Sequence, residues 1–470
     1  MCLLEVDPRA HIMKVVICGA GQVGTSIARY LASEHNDVTV VDQSPELINR
    51  LNDSLDVQAV VGHASHPEVL EKIGVADADM LIAVTFADEV NMVACQIAHS
   101  LFNVPTKIAR IRHQSYLNPL WSDLFRSDHM PIDVIISPEI EVAKAIARRL
   151  TVPGAFDMIP FADDKVRLIG VRCTDSCPVV HTPLLQLSSL FPDLNIIVVG
   201  IVRDDNAIVP TPQDQMLPGD SVYFVADTDH LPRAMAAFGH EEQEARRIII
   251  LGGGNIGRSL AHLIEESKHD VSVKLIELNG ERARFTAEML PGISVIQGDG
   301  LDPEILEEAN VTKTETIVAV TDDDETNILS SLLAKRYGAE RAVTLINKTT
   351  YSPLITTLGI DVVVNPRAIT VSKILQHVRR GRIRAVHSLG DGFAEIIEAT
   401  AVESSPLVGK PLREAKLPDG VIVGAVIHNG EVAIPRGDTI IHPDDRIIIL
   451  AAADAVKKME KLFLVRLEKK

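Results

Sequence analysis

A chain that repeats itself at half its own length folds as two similar halves, and this one repeats around a glycine-rich segment. VVICGAGQVGTSIARYLASEHNDVTVVD (Val15 to Asp42) returns as IIILGGGNIGRSLAHLIEESKHDVSVKLIE (Ile248 to Glu277). Gly19 and Gly252 stand 233 positions apart and Thr85 and Thr321 236 apart, so the register drifts by three residues. Asn91 and Asn327 keep the second offset. The later stretches agree as well, PVVHTPLLQL with PLVGKPLREA and PTPQDQMLPGDSVYFVA with PRGDTIIHPDDRIIILA. Each half therefore has two parts.

Within a half, β-branched runs such as VTVVD, MLIAVT and DVIIS alternate with helical patterns such as SIARYLASE, PEVLEKIG and VNMVACQIAHSL. That alternation predicts a parallel sheet covered on both faces. After about Pro153, and again after about Arg384, the pattern changes to short strands (VRLIGVRC, NIIVVGIVR, SVYFVAD) separated by Pro, Gly and Asp turns. The fold expected is α/β, with two Rossmann-type doubly wound parallel sheets, each followed by a small β-rich α+β domain. The domains are placed at 13–135, 153–238, 246–364 and 384–467, and the polar run GHEEQEA (Gly239 to Ala245) reads as the linker between halves. ISPEIEVAKAIARRL and VNPRAITVSKILQHVRR, each with proline just inside a helix, read as helices that bridge domains. The cluster Arg379, Arg380, Arg382 and Arg384 reads as a solvated helix end or a minor partner contact.

Gly19, Gly21 and Gly24 form G-x-G-x-x-G directly after a strand and before a helix. The first glycine permits the tight turn, the second lets backbone N–H groups approach a pyrophosphate, and the third lets helix and strand pack closely. The helix N-terminus adds positive dipole. Asp42 closes the second strand where a carboxylate accepts hydrogen bonds from an adenosine ribose and disfavours a 2′-phosphate. Gly252, Gly254, Gly257 and Glu277 repeat the arrangement. NAD(H) is the first choice of ligand, with ATP or ADP open at the same sites, because the loop recognises an adenosine phosphate more than a nicotinamide.

Composition narrows the alternatives. Hydrophobic residues at 46% and charged residues at 23% match a globular chain. Apolar stretches such as Val15 to Cys18 and Ile447 to Ala453 are far shorter than the roughly 20 residues a spanning helix needs. Residues 1–12 do not read as a signal peptide, and they are assigned no function. A net charge of −18 and 4% aromatics disfavour nucleic acid as a partner. Five cysteines (Cys2, Cys18, Cys95, Cys173, Cys177) form no disulfide framework. The spacing of Cys173 and Cys177 is read as incidental, and no metal is assigned. His181, His387, His428 and His442 read as singly scattered surface residues.

GAGQVG, GHASHPEVL, ADADMLIAVTFADEVNMVACQ and KIARIRHQSYL, followed by a duplicated half, resemble the TrkA family of Trk potassium-uptake regulatory proteins, from Met13 to the end. The resemblance implies tandem RCK modules, RCK-N plus RCK-C in each half. It further implies a self-associated ring, a homotetramer, peripheral at the cytoplasmic face beneath a TrkH/TrkG-like integral membrane potassium-translocating subunit. By motif, Gly19, Ala20, Gly21, Gln22, Val23 and Gly24 line the first phosphate site, Asp42 takes the ribose, and Gly62, His63, Thr85, Phe86 and Arg110 border the nucleotide. Gly252, Gly253, Gly254, Asn255, Ile256, Gly257, Glu277, Gly298, Asp299 and Thr321 are the counterparts. The second copy reads TLINKTT where the first has KIARIR, so it lacks an arginine at the Arg110 place, and Lys348 is at best a shifted substitute. His63 reads as a hydrogen-bonding loop residue. The expectation is a non-catalytic regulator; the contrasting readings are an NAD-dependent oxidoreductase and a regulator of a different ion transporter.

Overall fold

The computed structural model describes residues 12–463 except 34, 192–193, 205, 268–269, 352–357, 379–382, 390–392 and 461. Arg379, Arg380 and Arg382 of the basic cluster, Cys2, and residues 1–11 lie outside the described residues. The chain divides into two compact units, 1–141 with 366–378, and 142–365 with 379–470.

The first unit is built on a six-stranded sheet of order β3-β2-β1-β4-β5-β6. Its elements are β1 (Lys14–Cys18), α1 (Gln22–Ser33), β2 (Asp37–Asp42), α2 (Pro45–Ser54), β3 (Gln58–Val61), α3 (Pro67–Lys72), β4 (Met80–Ala83), α4 (Asp88–Ser100), β5 (Thr106–Arg110) and β6 (Val134–Ile136). All its strand pairs are parallel. The order reverses beside β1, which places the crevice of a doubly wound sheet at the carboxyl ends of β1 and β4. Both faces are apolar because both are covered. Val15 and Ile17 join one core with Ile27 and Leu31 of α1, whereas Val16 and Cys18 join the other with Leu70 of α3 and Cys95 of α4. Burial pushes the Cys18 thiol up to about 12, so it behaves as a small apolar residue.

Helix α5 (Pro138–Leu150) follows β6 and leaves the first unit after Glu141. In exchange the first unit receives a helix from more than two hundred residues downstream, residues 366–378, which packs on α1 through Ile374, Leu375 and Val378. Burying three such side chains is worth roughly 1.5 to 3 kcal/mol each before ordering costs.

In the second unit, Lys144, Ala147 and Leu150 of α5 line a cleft with Ile248, Leu263 and Ile264. Two antiparallel five-stranded sheets and a second parallel sheet make up this unit. The first antiparallel sheet, order β10-β9-β11-β8-β7, contains β7 (Ala155–Phe161), β8 (Val166–Arg172), α6 (Leu184–Leu190), β9 (Ile196–Arg203), β10 (Asn206–Ile208), β11 (Ser221–Asp227) and α7 (Leu231–Ala237). The second parallel sheet repeats the first as β14-β13-β12-β15-β16-β17. It comprises β12 (Arg247–Leu251), α8 (Asn255–Ser267), β13 (Ser272–Glu277), α9 (Gly280–Met289), β14 (Ser294–Gln297), α10 (Pro303–Glu308), β15 (Thr316–Ala319), α11 (Asp324–Arg336), β16 (Arg341–Leu345) and β17 (Val362–Val364). After it come α12 (Pro366–Val378), the helix given to the first unit, and the last sheet, β18-β19-β22-β20-β21. That sheet is formed by β18 (Ile383–Leu389), β19 (Ala394–Thr400), β20 (Val421–His428), β21 (Glu431–Ala433) and β22 (Arg446–Ala452), with α13 (Val456–Glu460) the last described element.

The two antiparallel sheets share one core, where Leu168, Val199, Tyr223 and Val225 meet Leu389, Ile396, Ala425 and Ile448. Alternation along β11 and β22 sends the intervening residues, such as Phe224 and Ile449, into separate outer cores. Among the described residues no helix is long and apolar enough to cross a membrane.

Candidate functional site

Each parallel sheet ends its first strand in a glycine turn with the same backbone. Gly19 has φ +113° and Gly252 +108°, and a Cβ at either would press on the backbone of the neighbouring strand end, at 3.0 Å from Thr85 N and 3.1 Å from Thr321 N. A Cβ at Gly24 would fall 1.8 Å from the Gly19 carbonyl oxygen, and at Gly257 1.9 Å from that of Gly252, so helix and loop touch only because both side chains are hydrogen. A Cβ at Gly21 or Gly254 would meet, among the described residues and beyond its own chain neighbours and helix, no atom within 4 Å. The middle glycine of each loop thus faces open space, at the N-termini of α1 and α8, where Gln22, Val23, Asn255 and Ile256 begin the helices.

The carboxylates that end the second strands brace these loops. Asp42 accepts the Ala20 N–H through Oδ2 at 2.7 Å and the Ser44 N–H through Oδ1 at 2.9 Å. Glu277 accepts the Gly253 N–H through Oε2 at 2.7 Å and the Asn279 N–H through Oε1 at 2.8 Å, with Arg282 Nε 3.2 Å away. Glu277 is buried. A Cβ at Gly253 would sit 3.0 Å from its Oε2 and 3.2 Å from its Cβ, so the longer acid crowds the position that holds Ala20 beside the shorter one.

At the third strand, Gly62 and Gly298 donate their N–H groups to the carbonyls of Asp42 and Glu277. A side chain at either would strike α3 or α10, at 2.6 Å from Val69 or 2.5 Å from Ile305. His63 Nδ1 lies 2.8 Å from Ser65 Oγ, and its ring stacks on His66. Asp299 turns back to accept the Leu301 N–H.

The fourth strand ends in a buried hydrogen-bond knot that the sequence marked only by its repeated spacing. Asn91, fully buried, accepts the N–H and O–H of Thr85 at 2.8 and 2.7 Å and donates to the carbonyls of Thr85 and Arg110. Asn327 does the same for Thr321, and for Leu345 in place of Arg110. These asparagines fix the strand ends that meet the first glycine of each loop. Beyond the knot the copies part. In the first, Arg110 donates through Nη2 to the Thr85 carbonyl at 2.9 Å, while its buried Nε has no hydrogen-bond partner among the described residues. Burial, and then Arg112, lower the Arg110 pKa. Arg112 pairs with Glu139 at 2.9 Å and lies over the ring of Phe86, which is 84% exposed.

In the second copy Leu345 holds the Arg110 place, and Lys348 turns away to Glu325 at 2.9 Å and the Tyr351 ring. Its arginines sit elsewhere. Arg258 donates to the Gly253 carbonyl at 2.9 Å and to Asn255 Oδ1 at 2.7 Å, stacks on Phe285, and has Arg282 for a neighbour. Sequence reasoning looked for cations only at the Arg110 position and so passed over both, although each is absent from the aligned first copy, which has Thr25 and Leu47 there.

Cys173 and Cys177 are buried free thiols in contact, and the hydrogen bond between them holds Cys177 down to about 7 and pushes Cys173 up. The expectation of singly scattered histidines is corrected at one place: the rings of His428 and His442 lie with centroids 4.7 Å apart, tilted at 45°, because strand end and turn converge there.

An open glycine face at a helix N-terminus, a bracing carboxylate, and an orphaned buried donor in the first copy are a donor set suited to a nucleotide's phosphates and ribose. Two such units, each followed by an antiparallel sheet, make this a tandem Rossmann-type, nucleotide-binding fold. TrkA-N domain models match residues 15–138 and 248–366, and TrkA-C domain models match 168–239 and 396–464. The Trk system potassium uptake protein TrkA of Azorhizobium caulinodans is 55% identical over 456 residues, covering 97% of this chain and 100% of that protein. The chain belongs to the TrkA family. Among solved structures, the crystal structure of the GsuK RCK domain aligns with TM-score 0.57 at 18% identity over 97% of this chain and 96% of that one. The GsuK channel bound to NAD aligns with TM-score 0.58 at 18% identity, over 97% and 80%. Both share the fold.

Proposed function

We propose that the protein is a nucleotide-sensing regulatory subunit that gates a membrane potassium uptake system, with NAD(H) as first ligand and ATP or ADP competing for the same loops. The reading rests chiefly on one observation, the glycine loop preserved twice with its middle glycine facing open space. The family's potassium uptake proteins and the NAD named with the GsuK channel support it. Gly19 to Gly24 and Gly252 to Gly257 would hold the phosphates by backbone N–H groups, Asp42 and Glu277 would set the ribose end, and Thr85, Phe86, Arg110 and Thr321 would border the far side. Gly62, His63, Gly298 and Asp299 complete the rim. The four domains are taken at 13–135, 153–238, 246–364 and 384–467.

The protein acts as a switch, not as a catalyst. It assembles as a homotetrameric ring, peripheral at the cytoplasmic face beneath a TrkH/TrkG-like potassium-translocating subunit. Nucleotide moves the ring only by its differential affinity for two conformations. The test is potassium flux through candidate membrane subunits co-expressed with this chain, at fixed protein level, while NADH and ATP are varied. A nucleotide-dependent flux is expected. Absence of both association and a nucleotide effect overturns the reading.

A further inference from the structure

The last antiparallel sheet carries a second cluster of chemistry-bearing side chains. His428 ends β20, and His442 and Asp445 lie in the turn that enters β22. Asp445 is only 3% exposed. Its Oδ1 lies 2.6 Å from His428 Nδ1, and its Oδ2 accepts the His442 N–H at 2.7 Å and lies 3.7 Å from His442 Nδ1. One donor atom from each of the three side chains lies within 4.8 Å of the others.

The first antiparallel sheet is an internal control. β9 ends at Arg203 where β20 ends at His428, and Asp220 precedes β11 as Asp445 precedes β22. There the buried carboxylate takes Arg203 Nε and Nη2 at 2.8 Å each and the Leu217 N–H at 2.8 Å. Leu217 stands where the second sheet has His442. Both sheets bury the same carboxylate, and a buried anion persists only with a compensating partner. The first sheet supplies a permanent cation. The second replaces it with two imidazoles, whose ring lone pairs ligate metals as a guanidinium never can.

We propose that His428, His442 and Asp445 form a binding site for a divalent transition metal of the Zn²⁺ class, with water or an exogenous ligand in the remaining position. Two nitrogens and one oxygen suit Zn²⁺ or Co²⁺, whereas Mg²⁺ and Ca²⁺ favour all-oxygen shells. With bonds of about 2.0 to 2.1 Å, tetrahedral donors stand roughly 3.3 Å apart. The spacings of 2.6 and 3.7 Å bracket that distance, and small side-chain rotations bring the carboxylate and each imidazole toward it. Asn429 Nδ2 is 3.0 Å from His428 Nε2, and with its amide turned it accepts an Nε2 proton, leaving Nδ1 for the metal. The bound ion would pin the end of β20 to the turn before β22.

The test strips the full-length protein with a chelator and titrates Co²⁺, then Zn²⁺, alone. One Co²⁺ per chain with a visible ligand-field band, displaced by Zn²⁺, is expected. The paired substitution His428→Arg with His442→Leu restores the first sheet's pattern and should remove that band and weaken Zn²⁺ binding by about 100-fold or more. His442→Ala, at an exposed side chain, keeps the test decisive if the pair misfolds, and Cys173→Ser with Cys177→Ser should leave the band intact. Absence of Co²⁺ uptake by the parent protein overturns the site, as does a band that survives in folded histidine variants.

Discussion

The two glycine loops share a backbone and differ in what surrounds it. In the first, a short acid (Asp42) braces an alanine-bearing loop, Thr25 Oγ1 holds the Ala20 carbonyl at 3.0 Å, and the cation stands across the crevice at Arg110. In the second, a longer acid (Glu277) braces a loop that has given up that methyl group, and Arg258 holds the Gly253 carbonyl at 2.9 Å. The cations have moved from the fourth-strand side to the side of the second-strand carboxylate. On the proposed reading, the duplicated cradle would present its positive charge to opposite ends of a ligand, and the two loops are expected to differ in affinity.

The largest expected effect comes from filling the open face. Gly21→Asp should weaken nucleotide binding in the first copy by about 100-fold or more, near 2.8 kcal/mol, and Gly254→Asp should do so in the second alone. Calorimetry should then show one site in place of two; a single substitution that silences both loops would break the comparison by showing them coupled. Next is the cation. Arg110→Leu copies the second site into the first, and should cost about 1.5 to 3 kcal/mol there and nothing at the other loop, read by competition with a labelled nucleotide. Smaller is the interlock between acid and loop. Asp42→Glu should destabilise the first unit, and Ala20→Gly should rescue it, with a coupling of about 0.5 to 3 kcal/mol in a thermal-unfolding cycle. Additive effects would mean that acid length and loop residue are unrelated. The smallest change is Phe86→Ala, within about 0.5 kcal/mol for folding because the ring is exposed, so any larger loss of nucleotide affinity would mark the ring as a ligand contact.

The doubly wound sheets were legible because strand–helix alternation and glycine spacing are local and occur twice. The antiparallel sheets were legible as short strands with turn residues, but their shared core was not, since alternation in β8 and β22 says that both faces are buried without saying against what. Arg258 and Arg282 were not legible, because they stand where the first copy has Thr25 and Leu47, outside any repeated motif. Asn91 and Asn327 were visible as a repeated spacing, and only their burial beneath Thr85 and Thr321 gives that spacing a reason. His428 is separated from His442 and Asp445 by a hairpin and a long turn, a distance over which sequence carries no proximity signal.

The exchange of helices also bears on synthesis. A ribosome that has finished β6 has made every strand of the first sheet, yet the helix that covers α1 is still more than two hundred residues from the peptidyl-transferase centre. Until Ile374, Leu375 and Val378 emerge, the nascent first unit carries a bare apolar stripe. The order of the sequence thus leaves the N-terminal unit without its last helix until about four-fifths of the protein has been made, so that completing the first unit waits on synthesis of most of the second.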